Sequence, residues 1–460
     1  MSLLMSPLDS RVMDANAEAL GTSVTELMGN AGRAVADYLG KRYPGKRILF
    51  VCGPGNNGGD GFAAASLMDP ALVSVALLRK PSDIHTDAAW HFYSGLGCPI
   101  IDYSKVDLDA YDVIVDCALG TGMKGNVREP YRSFIVASHG IPEVVSVDVP
   151  SGLGSDVSVH PKATVTFHDL KEGMDRDNSG EIVIADIGIP AAAVDDVGPG
   201  DMLRYPVPGR DSHKGQNGRL MIIAGGPYYG APMMASLSSL RVGTDIVRLY
   251  VPESVAGIVA TASPVLMVTP LPGNRLTPDS VDMLLEESEG YDAVLIGPGL
   301  GTADDTTEAV RAFVSGCRRP VVIDADGITA VVGMTFDGNV VLTPHRMEFR
   351  RLGGSCCVNE LAERLNAVVL LKGADDEISD GRRTRLNRTG TPAMTGAGTG
   401  DVLAGAVAGL LSKGMGAFDS ACLAAYICGK AGEYAFKDKS YGLIATDIVD
   451  EIPHVLRDCL

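Results

Sequence analysis

The sequence has few aromatic and few basic residues. Of 460 residues, one is Trp, 10 are Phe and 14 are Tyr, whereas 55 are Gly. This composition suits α/β folds, in which tight turns connect many strands to helices. The 39 Lys and Arg residues are outnumbered by 57 Asp and Glu residues, so the net charge is −18. A field of that sign repels phosphate backbones, and we therefore expect no nucleic-acid partner.

Other absences bear on location and chemistry. The longest uncharged apolar stretch, near residues 402–411, is far shorter than the ~20 residues that span a bilayer. Residues 1–13 lack the apolar run of a signal peptide, so we expect a cytoplasmic protein with no membrane partner. The nine cysteines include no C-x-x-C, and no His lies at metal-ligand spacing from a His or Cys. This favours scattered reduced thiols over disulfides or a zinc site.

Hydrophobic patterning predicts two successive α/β domains. Short β-branched runs end in Gly, Asp or Pro, as parallel strands buried on both faces do. The predicted strands of the first half are residues 47–52, 73–78, 113–116, 144–149, 163–167 and 181–187. Those of the second half are residues 219–224, 247–251, 293–296, 321–324, 340–342 and 368–371. Pro and Gly interrupt the pattern over residues 190–212, so we predict domains 1–205 and 206–460.

A glycine-rich segment follows the first predicted strand and precedes a predicted helix over residues 62–68. It reads Gly53-Pro54-Gly55-Asn56-Asn57-Gly58-Gly59-Asp60-Gly61, which has more glycines than a tight turn needs. Glycines let a ligand approach the backbone, and a helix N-terminus favours an anionic group. An NAD dehydrogenase would need an acidic residue at the end of the next strand, which reads Leu78-Arg79-Lys80. The segment therefore predicts a ligand site but disfavours an ordinary dehydrogenase.

Polar side chains follow two further strands of the first half. Asp116 ends one strand and precedes a second glycine-rich segment, and Asp148 ends the next, three residues before Ser151. Ligands of open α/β sheets bind at the carboxyl ends of the strands, where Asn57 also falls. Hard oxygen ligands gathered there could hold a cation, although each residue alone could equally serve a turn or a cap.

The most specific motif of the second half is Gly396-Ala397-Gly398-Thr399-Gly400-Asp401, which leads into an apolar helix. The helix N-terminus presents backbone N–H groups that suit a phosphoryl group in transfer. Asp401 is placed to take a proton from a hydroxyl that attacks phosphorus, or else it only stabilises the helix start. Lys372 could contact nucleotide phosphate. His345, which follows another strand, is either a ligand contact or a surface cap.

In this order the motifs resemble those of the bifunctional NAD(P)H-hydrate repair enzymes, and the resemblance covers essentially the whole chain. In the first half it rests on Leu27-Met28-x-Asn30-Ala31-Gly32 and on residues 53–61, 116–125, 148–152 and 186–190. In the second half it rests on residues 213–215, 225–226, 230–232, 297–301, 324–326, 343–345, 372–374 and 398–401. The chain departs from the family at Gly29, where Glu is usual, and at Arg346-Met347, where Pro-Gly is usual. The turn after His345 must therefore take another shape.

The resemblance implies two three-layer α/β/α domains, Rossmann-like at the N-terminus and ribokinase-like at the C-terminus. It implies an epimerase of hydrated NADH or NADPH, NAD(P)HX, fused to an ADP-dependent dehydratase of the S epimer. Water added at the nicotinamide 5,6 double bond leaves a hydroxyl, which the second domain would phosphorylate from ADP to give AMP. The expected cofactors are a potassium ion in the first domain and Mg²⁺ with ADP in the second, in a nucleotide site of the ADP- and ATP-binding type. The expected partners are NADHX, NADPHX, ADP and further copies of this chain.

The resemblance also implies roles for individual residues. Asp401 and Asp148 would be catalytic, and Asn57, Asp116 and Ser151 would bind potassium. Contacts to the hydrate would come from Asn56, Asn57, Gly58, Gly59, Asp60, Gly120, Thr121, Gly122, Met123, Lys124, Gly125, Asn126, Asp148, Ala231, Gly299, His345 and Asp401. Contacts to ADP would come from Lys372, Gly373, Ala374, Asp375, Asp376, Gly398, Thr399 and Gly400.

Two other functions fit parts of the sequence. A ribokinase-like small-molecule kinase with an accessory nucleotide-binding domain would share the Gly-Thr-Gly-Asp motif but would release a stable phosphorylated product. A nucleotide sensor would only bind its ligands, and it would need neither Asp401 nor Asp148.

Overall fold

The computed structural model describes residues 4–123 and 125–460. The chain divides into two compact units, Met1–Ala193 and Val194–Leu460. Each unit is built on a sheet dominated by parallel strands, so the predicted α/β class is confirmed. Over the described residues, no helix combines the length and apolar character that crossing a membrane requires.

The first unit alternates strands and helices along the chain. Its helices are α1 (Pro7–Ala19), α2 (Val24–Arg42), α3 (Asn56–Ser66), α4 (Asp87–Ser94), α5 (Tyr131–Ser138), α6 (Arg176–Ser179) and α7 (Ala191–Asp195), the last of which runs across the division. Its strands are β1 (Ile48–Cys52), β2 (Val73–Leu77), β3 (Ile100–Asp102), β4 (Val113–Cys117), β5 (Val144–Val147), β6 (Ala163–Phe167) and β7 (Glu181–Ala185). Short 3₁₀ helices cover Pro81–Asp83, Tyr103–Lys105 and Leu108–Ala110.

The strands of the first unit lie in the order β3-β2-β1-β4-β5-β6-β7, and each neighbouring pair is parallel. This is the strand order of a Rossmann-like sheet. Both faces are apolar: Ile48 and Phe50 of β1 belong to one core cluster, and Leu49 and Val51 to the other. The chain reverses direction across the sheet between β1 and β4, where open α/β sheets bind ligands.

The second unit repeats the alternation. Its helices are α8 (Gly230–Arg241), α9 (Glu253–Ala260), α10 (Val281–Ser288), α11 (Asp304–Gly316), α12 (Asp326–Ala330), α13 (Arg346–Arg351), α14 (Val358–Leu365), α15 (Thr399–Ser412), α16 (Ala417–Lys439) and α17 (Ala445–Cys459). Its strands are β8 (Arg219–Ile223), β9 (Ile246–Pro252), β10 (Met267–Leu271), β11 (Ala293–Ile296), β12 (Val321–Ile323), β13 (Val340–Leu342), β14 (Val368–Leu371), β15 (Asp376–Ser379) and β16 (Thr384–Asn387). Further 3₁₀ helices cover Pro199–Arg204, Pro278–Ser280, Pro392–Thr395 and Ser440–Gly442.

The second sheet runs β10-β9-β8-β11-β12-β13-β14-β15-β16. The strands from β10 to β14 are parallel, and β15 and β16 form an antiparallel hairpin at one edge. Helix α15 is buried along nearly its whole length because its apolar residues face α8 and α16 as well as the sheet. This packing fixes the N-terminus of α15 at the carboxyl end of the sheet.

The structural division precedes the predicted end of the first domain at residue 205. The segment after Val194 packs on the second unit, because Val197 N donates to Leu386 O at 2.8 Å and Arg385 Nη2 donates to Asp201 Oδ2 at 2.9 Å. Pro and Gly mark where the alternation of strands and helices stops, but they do not indicate which unit the connecting segment packs against. The functional division at residue 205 stays a prediction.

Every predicted strand overlaps a strand of the structure, whereas β3, β10, β15 and β16 escaped prediction. Strand β3 has three residues, none of which is fully buried, and β10 contains Pro270 and is mostly half-buried. The hairpin strands read DEIS and TRLN. Edge strands are only partly covered, so they lack the continuous apolar run that reveals a central strand.

Candidate active sites

The first candidate site is a cavity of about 570 Å³ at the carboxyl ends of β1, β4 and β5. The residues predicted to contact the hydrate that line it are Asn56, Asn57, Gly58, Asp60, Gly120, Thr121, Gly122, Met123 and Asp148. Gly59 is buried against Met28, and Gly125 and Asn126 are exposed beyond the lining. Lys124 lies outside the described residues. The two glycine-rich segments therefore come together although about 60 residues separate them in the chain.

Helix α3 begins at Asn56, six residues before the predicted start at residue 62. The glycine-rich segment therefore forms the first turns of the helix. A Cβ atom at Gly58 would lie 2.0 Å from Gly53 O, so only glycine lets the helix begin so close to β1. The N-terminus of α3 consequently borders the cavity, where its backbone N–H groups favour an anionic ligand.

Asp148 has a backbone conformation that is rare for a residue with a side chain. Its φ is 61°, in the left-handed region, and such strain concentrates at functional sites. Its Oδ1 atom lies 3.0 Å from Nζ of Lys171, which is almost fully buried. The Lys171 ammonium also donates to Phe167 O at 2.6 Å and to Thr166 Oγ1 at 3.2 Å. An ion pair thus lies in the cavity wall, and the sequence analysis did not identify Lys171.

Two further carboxyl groups line the cavity. Burial and the nearby Asp148 raise the pKa of Asp14 to about 6, although Lys171 opposes the shift. Burial, followed by Asp148 and Asp14, raises the pKa of Asp60 well above its usual value. The cavity therefore holds carboxyl groups that differ in their readiness to release a proton, as acid/base sites require.

Asn57, Asp116 and Ser151, the predicted potassium ligands, form one hydrogen-bonded group. Ser151 Oγ donates to Asp116 Oδ1 at 2.5 Å, and Ser151 N donates to Asp116 Oδ2 at 2.9 Å. Asn57 Nδ2 donates to Leu119 O at 2.9 Å, and Leu119 N donates to Ser151 Oγ at 2.8 Å. The Asn57 Oδ1 atom is buried without a hydrogen-bond partner, and Asp116 is fully buried. Both features suit a cation with hard oxygen ligands.

The second candidate site lies where β12, β13 and β14 end beside the start of α15. Lys372 Nζ donates to Asp324 Oδ1 at 2.9 Å, and Thr343 Oγ1 donates to the same oxygen at 2.7 Å. Burial lowers the pKa of Lys372, but the Asp324 carboxylate outweighs it, so the net shift is upward. A Cβ atom at Gly400 would lie 3.2 Å from Lys372 Nζ. A permanent positive charge therefore lies against the N-terminus of α15.

Asp401 occupies the first turn of α15, as predicted. Burial raises the pKa of its carboxyl group to about 7, with Asp324 adding to the shift and Lys372 opposing it. None of the described residues donates a hydrogen bond to this carboxyl group. Gly398 precedes the helix with φ 93°, a conformation that favours glycine. A carboxyl group with a pKa near neutrality beside an ammonium and a helix N-terminus has the properties of a general base.

His345 is the N-cap of α13. Its Nδ1 atom accepts from Met347 N at 3.1 Å and Glu348 N at 3.2 Å, and Glu348 Oε2 accepts from His345 N at 2.9 Å. This reciprocal cap is the shape that the turn takes without the usual Pro-Gly. A β-bridge pairs His345 with Lys372, so the histidine lies beside the second site although its ring serves the helix.

The remaining predicted residues of the second unit lie on two sides of this region. Gly373, Ala374 and Asp375 form an exposed turn, in which Asp375 pairs with Arg388 Nη1 at 2.6 Å. Asp376 accepts from Asn387 Nδ2 at 3.0 Å, and Thr399 Oγ1 donates to Gly396 O at 3.0 Å.

On the other side, Ala231 lies in the first turn of α8, and its loop meets the loop of Gly299 through Gly225 N and Pro298 O at 2.8 Å. The structure thus places one group of candidates beside β14 to β16 and another beside β8 and β11.

The sequence analysis missed two polar residues of these sites, Asp14 and Lys171. It named Asp324, Asp326 and Thr343 only as parts of motifs and gave them no role. Asp326 Oδ2 accepts from Gly301 N at 2.8 Å and thereby joins two loops of the second site. For Asp14 the sequence did offer a signal, namely a carboxylate placed between Met13 and Ala17, two apolar residues that are buried in the structure. Lys171 carried no such signal, because only the tertiary structure shows that it is buried.

Comparisons with known proteins match both halves of the chain. A family model described as NAD(P)H-hydrate dehydratase matches residues 220–454, and one described as YjeF-related protein N-terminus matches residues 24–173. A bifunctional NAD(P)H-hydrate repair enzyme of Methanothermobacter thermautotrophicus is 40% identical over 98% of this chain and 95% of its own. One of Archaeoglobus fulgidus is 38% identical over 99% of each chain.

Solved structures resemble the second half. An ADP/ATP-dependent NAD(P)H-hydrate dehydratase of Bacillus subtilis, co-crystallised with ATP/Mg²⁺, is 27% identical with a TM-score of 0.53, over 58% of this chain and 99% of its own. A ribokinase-like superfamily protein of Enterococcus faecalis has a TM-score of 0.53 at 24% identity, over 58% of this chain and 96% of its own. The ribokinase-like fold that the sequence predicts for the second half is thereby confirmed.

Proposed function

Because this chain belongs to the family of bifunctional NAD(P)H-hydrate repair enzymes, we propose that it restores hydrated NADH and NADPH in two reactions. The first domain interconverts the R and S epimers of the hydrate. The second domain removes water from the S epimer with ADP as the phosphoryl donor and releases AMP and phosphate. The observation that carries this proposal is Asp401, whose pKa of about 7 and position beside Lys372 suit proton abstraction during phosphoryl transfer.

In the dehydratase reaction, Asp401 takes the proton of the hydrate's hydroxyl group as its oxygen attacks the terminal phosphorus of ADP. Lys372 and the backbone N–H groups around Gly398 and Gly400 stabilise the charge on the phosphoryl group in transfer. The phosphate ester then breaks at its carbon–oxygen bond, and loss of a ring proton restores the double bond. A hydroxyl group is a poor leaving group, whereas its phosphate ester leaves readily as phosphate. This is why the reaction consumes a nucleotide.

In the epimerase reaction, the loops after β1 and β4 hold the nucleotide part of the hydrate. Asp148 is the acid/base group that exchanges a proton with the hydroxyl group of the hydrate, and Lys171 keeps its carboxylate in place through the 3.0 Å ion pair. The strained backbone at Asp148 supports this role, because such strain persists where function requires one side-chain position.

Potassium fits the group formed by Asn57, Asp116 and Ser151. The Asn57 Oδ1 atom is buried without a hydrogen-bond partner and can coordinate a cation, and a positive charge beside the fully buried Asp116 carboxylate would stabilise its ionised form. When bound, potassium would supply that charge beside the nucleotide-binding loops.

Mg²⁺ fits the second site. Asp324 and Asp326 each leave one carboxylate oxygen without a hydrogen bond to a described residue. One or two carboxylates together with substrate phosphates are the usual ligands of Mg²⁺, so it would enter with ADP.

We also propose that the protein is a homo-oligomer in the cytoplasm, and that its two functional domains are residues 1–205 and 206–460.

The test is to mix the protein with NADHX and ADP, or with ATP, and to follow the absorbance band of reduced nicotinamide. We expect recovery with ADP that is faster than recovery with ATP, and AMP formed in proportion to NADH. A stable phosphorylated hydrate would instead indicate a kinase. Binding without any turnover would indicate a sensor.

A further inference from the structure

Asp14 is a carboxyl group of the first site to which the proposed reactions give no task. It lies on α1, a helix that none of the predicted site residues occupies, and it lines the same cavity as Asp148 and Asn57. Its neighbours Met13 and Ala17 are buried, so this face of α1 packs inward. No described residue donates a hydrogen bond to the Asp14 carboxyl group. A half-buried carboxyl group that lies beside a cavity and accepts no hydrogen bond from a described residue is free to bind a ligand.

Ion pairing distinguishes Asp14 from Asp148. Asp148 is paired with the Lys171 ammonium at 3.0 Å, whereas no cation among the described residues forms a salt bridge with Asp14. Burial first, and then Asp148, raise the pKa of Asp14 to about 6. Burial also raises the pKa of Asp60 well above its usual value. The other titratable groups along the lining are Arg11, His85, Tyr131 and His168. A carboxyl group with a pKa of about 6 can both release and regain a proton near neutrality.

Building on the proposed epimerase function, we propose that Asp14 is a second acid/base catalyst that works on the ring nitrogen while Asp148 works on the hydroxyl group. The hydroxyl-bearing carbon, C6, is also bonded to the ring nitrogen N1. Asp148 takes the hydroxyl proton, the C6–N1 bond breaks, and C6 becomes an aldehyde carbon. The electron pair of that bond passes to N1, which takes the proton of Asp14.

Rotation about the C5–C6 bond then presents the other face of the aldehyde to N1. In the return step N1 attacks C6, Asp14 regains the N1 proton, and Asp148 returns its proton to the oxygen. Both carboxyl groups end in their starting states, and no oxidant, reductant or water is consumed. A division of labour between two carboxyl groups in different environments is how one site can act as acid and base at a single pH.

The test measures epimerisation of NADHX without nucleotide, by separating the R and S forms chromatographically over time. Asp14→Asn should lower kcat by about 10²–10⁴-fold with little change in KM. The Asn side chain keeps the volume of Asp, but its amide cannot donate or accept a proton near neutral pH. Glu18→Gln, on the same helix but exposed, is the matched control and should keep wild-type rates. Dehydration of the S epimer with ADP should be unchanged in both variants.

Asp14→Glu separates catalysis from a structural role. The longer side chain disturbs packing at least as much as Asn does but retains the acid, so it should recover part of the lost rate. If Asp14→Asn epimerises within about threefold of wild type while Asp148→Asn does not, the inference is wrong and the proposed function stands. If Asp14→Glu is as inactive as Asp14→Asn, the carboxyl group is structural and the inference is again wrong. Failure of the wild-type protein to epimerise would instead refute the proposed function.

Oxygen-18 water tests the ring-opening step itself. Ring opening keeps the hydroxyl oxygen on C6, so epimerised product should carry little label beyond that of an enzyme-free control. Incorporation of one labelled oxygen in every turnover would mean that the hydroxyl group leaves and water returns. That result would overturn the proposed role of Asp14 at N1.

Discussion

Asp401 illustrates how a position in the fold changes the acidity of a single side chain. On an exposed helix its carboxyl group would be fully ionised at neutral pH. In the first turn of α15, burial and Asp324 raise its pKa to about 7, against the attraction of Lys372. The carboxylate is then basic enough to accept a proton and is still ionised in about half of the molecules at pH 7.

Asp401→Asn should lower the dehydratase rate by about 10²–10⁴-fold while ADP affinity stays nearly unchanged, because Lys372 and the backbone N–H groups remain. The base acts only when ionised, so the wild-type rate should rise as pH increases through about 7 and should fall steadily below it. NADH recovery against pH, together with calorimetry of ADP binding, provides the measurement. Asp438→Asn, whose side chain is 81% exposed, is the control. Near-normal turnover of Asp401→Asn would mean that the residue only caps the helix.

Asp116 is a fully buried carboxyl group that accepts hydrogen bonds from Ser146 and Ser151. Burial raises its pKa, and these hydrogen bonds oppose the shift. Asp116→Ala should abolish the response of epimerisation to potassium and lower its rate, and it should leave the dehydratase rate unchanged. The measurement is the epimerisation rate in potassium and in choline salts at equal ionic strength. Asp112→Ala, just before the same strand and half-exposed, is the control. Equal loss of both activities would identify Asp116 as structural.

At the scale of elements, the contact between α8 and α15 carries the dehydratase site. Ser238 Oγ donates to Val402 O at 2.6 Å, and Ser239 Oγ donates to Gly405 O at 2.9 Å. A Cβ atom at Gly405 would lie 2.1 Å from Ala235 O. The helices therefore approach each other so closely that only glycine fits, and this approach fixes the position of Asp401.

Gly405→Ala should force the two helices apart, at a cost of about 1–3 kcal/mol, and should lower the dehydratase rate. Gly257→Ala is the matched control, because Gly257 lies in α9 with open space around its Cβ position. It should be neutral or stabilise the protein by up to about 1 kcal/mol. The measurement is the melting temperature of the second unit. Its transition is identified as the one that ADP shifts upward, because a ligand stabilises the unit that binds it. Equal melting temperatures of Gly405→Ala and Gly257→Ala would show that the close contact between α8 and α15 does not determine the stability of this unit.

At the scale of the whole molecule, the connecting segment decides where the chain can be cut. Arg385 has a side chain only 12% exposed, and it is paired with Asp201, which is fully buried. Removing one partner of such a pair leaves an uncompensated charge and costs about 3–5 kcal/mol. A boundary at residue 205 would discard Asp201, whereas a boundary at residue 193 keeps it.

A fragment of residues 194–460 should therefore melt at least about 6 °C above a fragment of residues 206–460. Asp201→Asn in the longer fragment should produce much of the same loss. Differential scanning calorimetry of the three proteins checks this, with dehydratase activity as the sign of correct folding. Equal melting temperatures would show that residues 194–205 contribute no stability.

The α/β class and twelve of the sixteen strands follow from the sequence alone, because continuous β-branched runs and glycine-rich turns are local signals. The sequence also determined the family, which the full-length relatives confirm. The individual site residues remain predictions, and the structure supports them by placing most of them at two sheet edges.

The acidity of the site residues and the division of the chain depend on tertiary contacts. The pKa values of Asp14 and Asp401 depend on burial and on charges that are distant in the sequence. The Lys171–Asp148 and Arg385–Asp201 pairs and the close contact of α8 with α15 likewise arise from residues that meet only in the fold. Local patterns record backbone preference and apolar periodicity, whereas acidity and ion pairing depend on what surrounds a side chain in three dimensions.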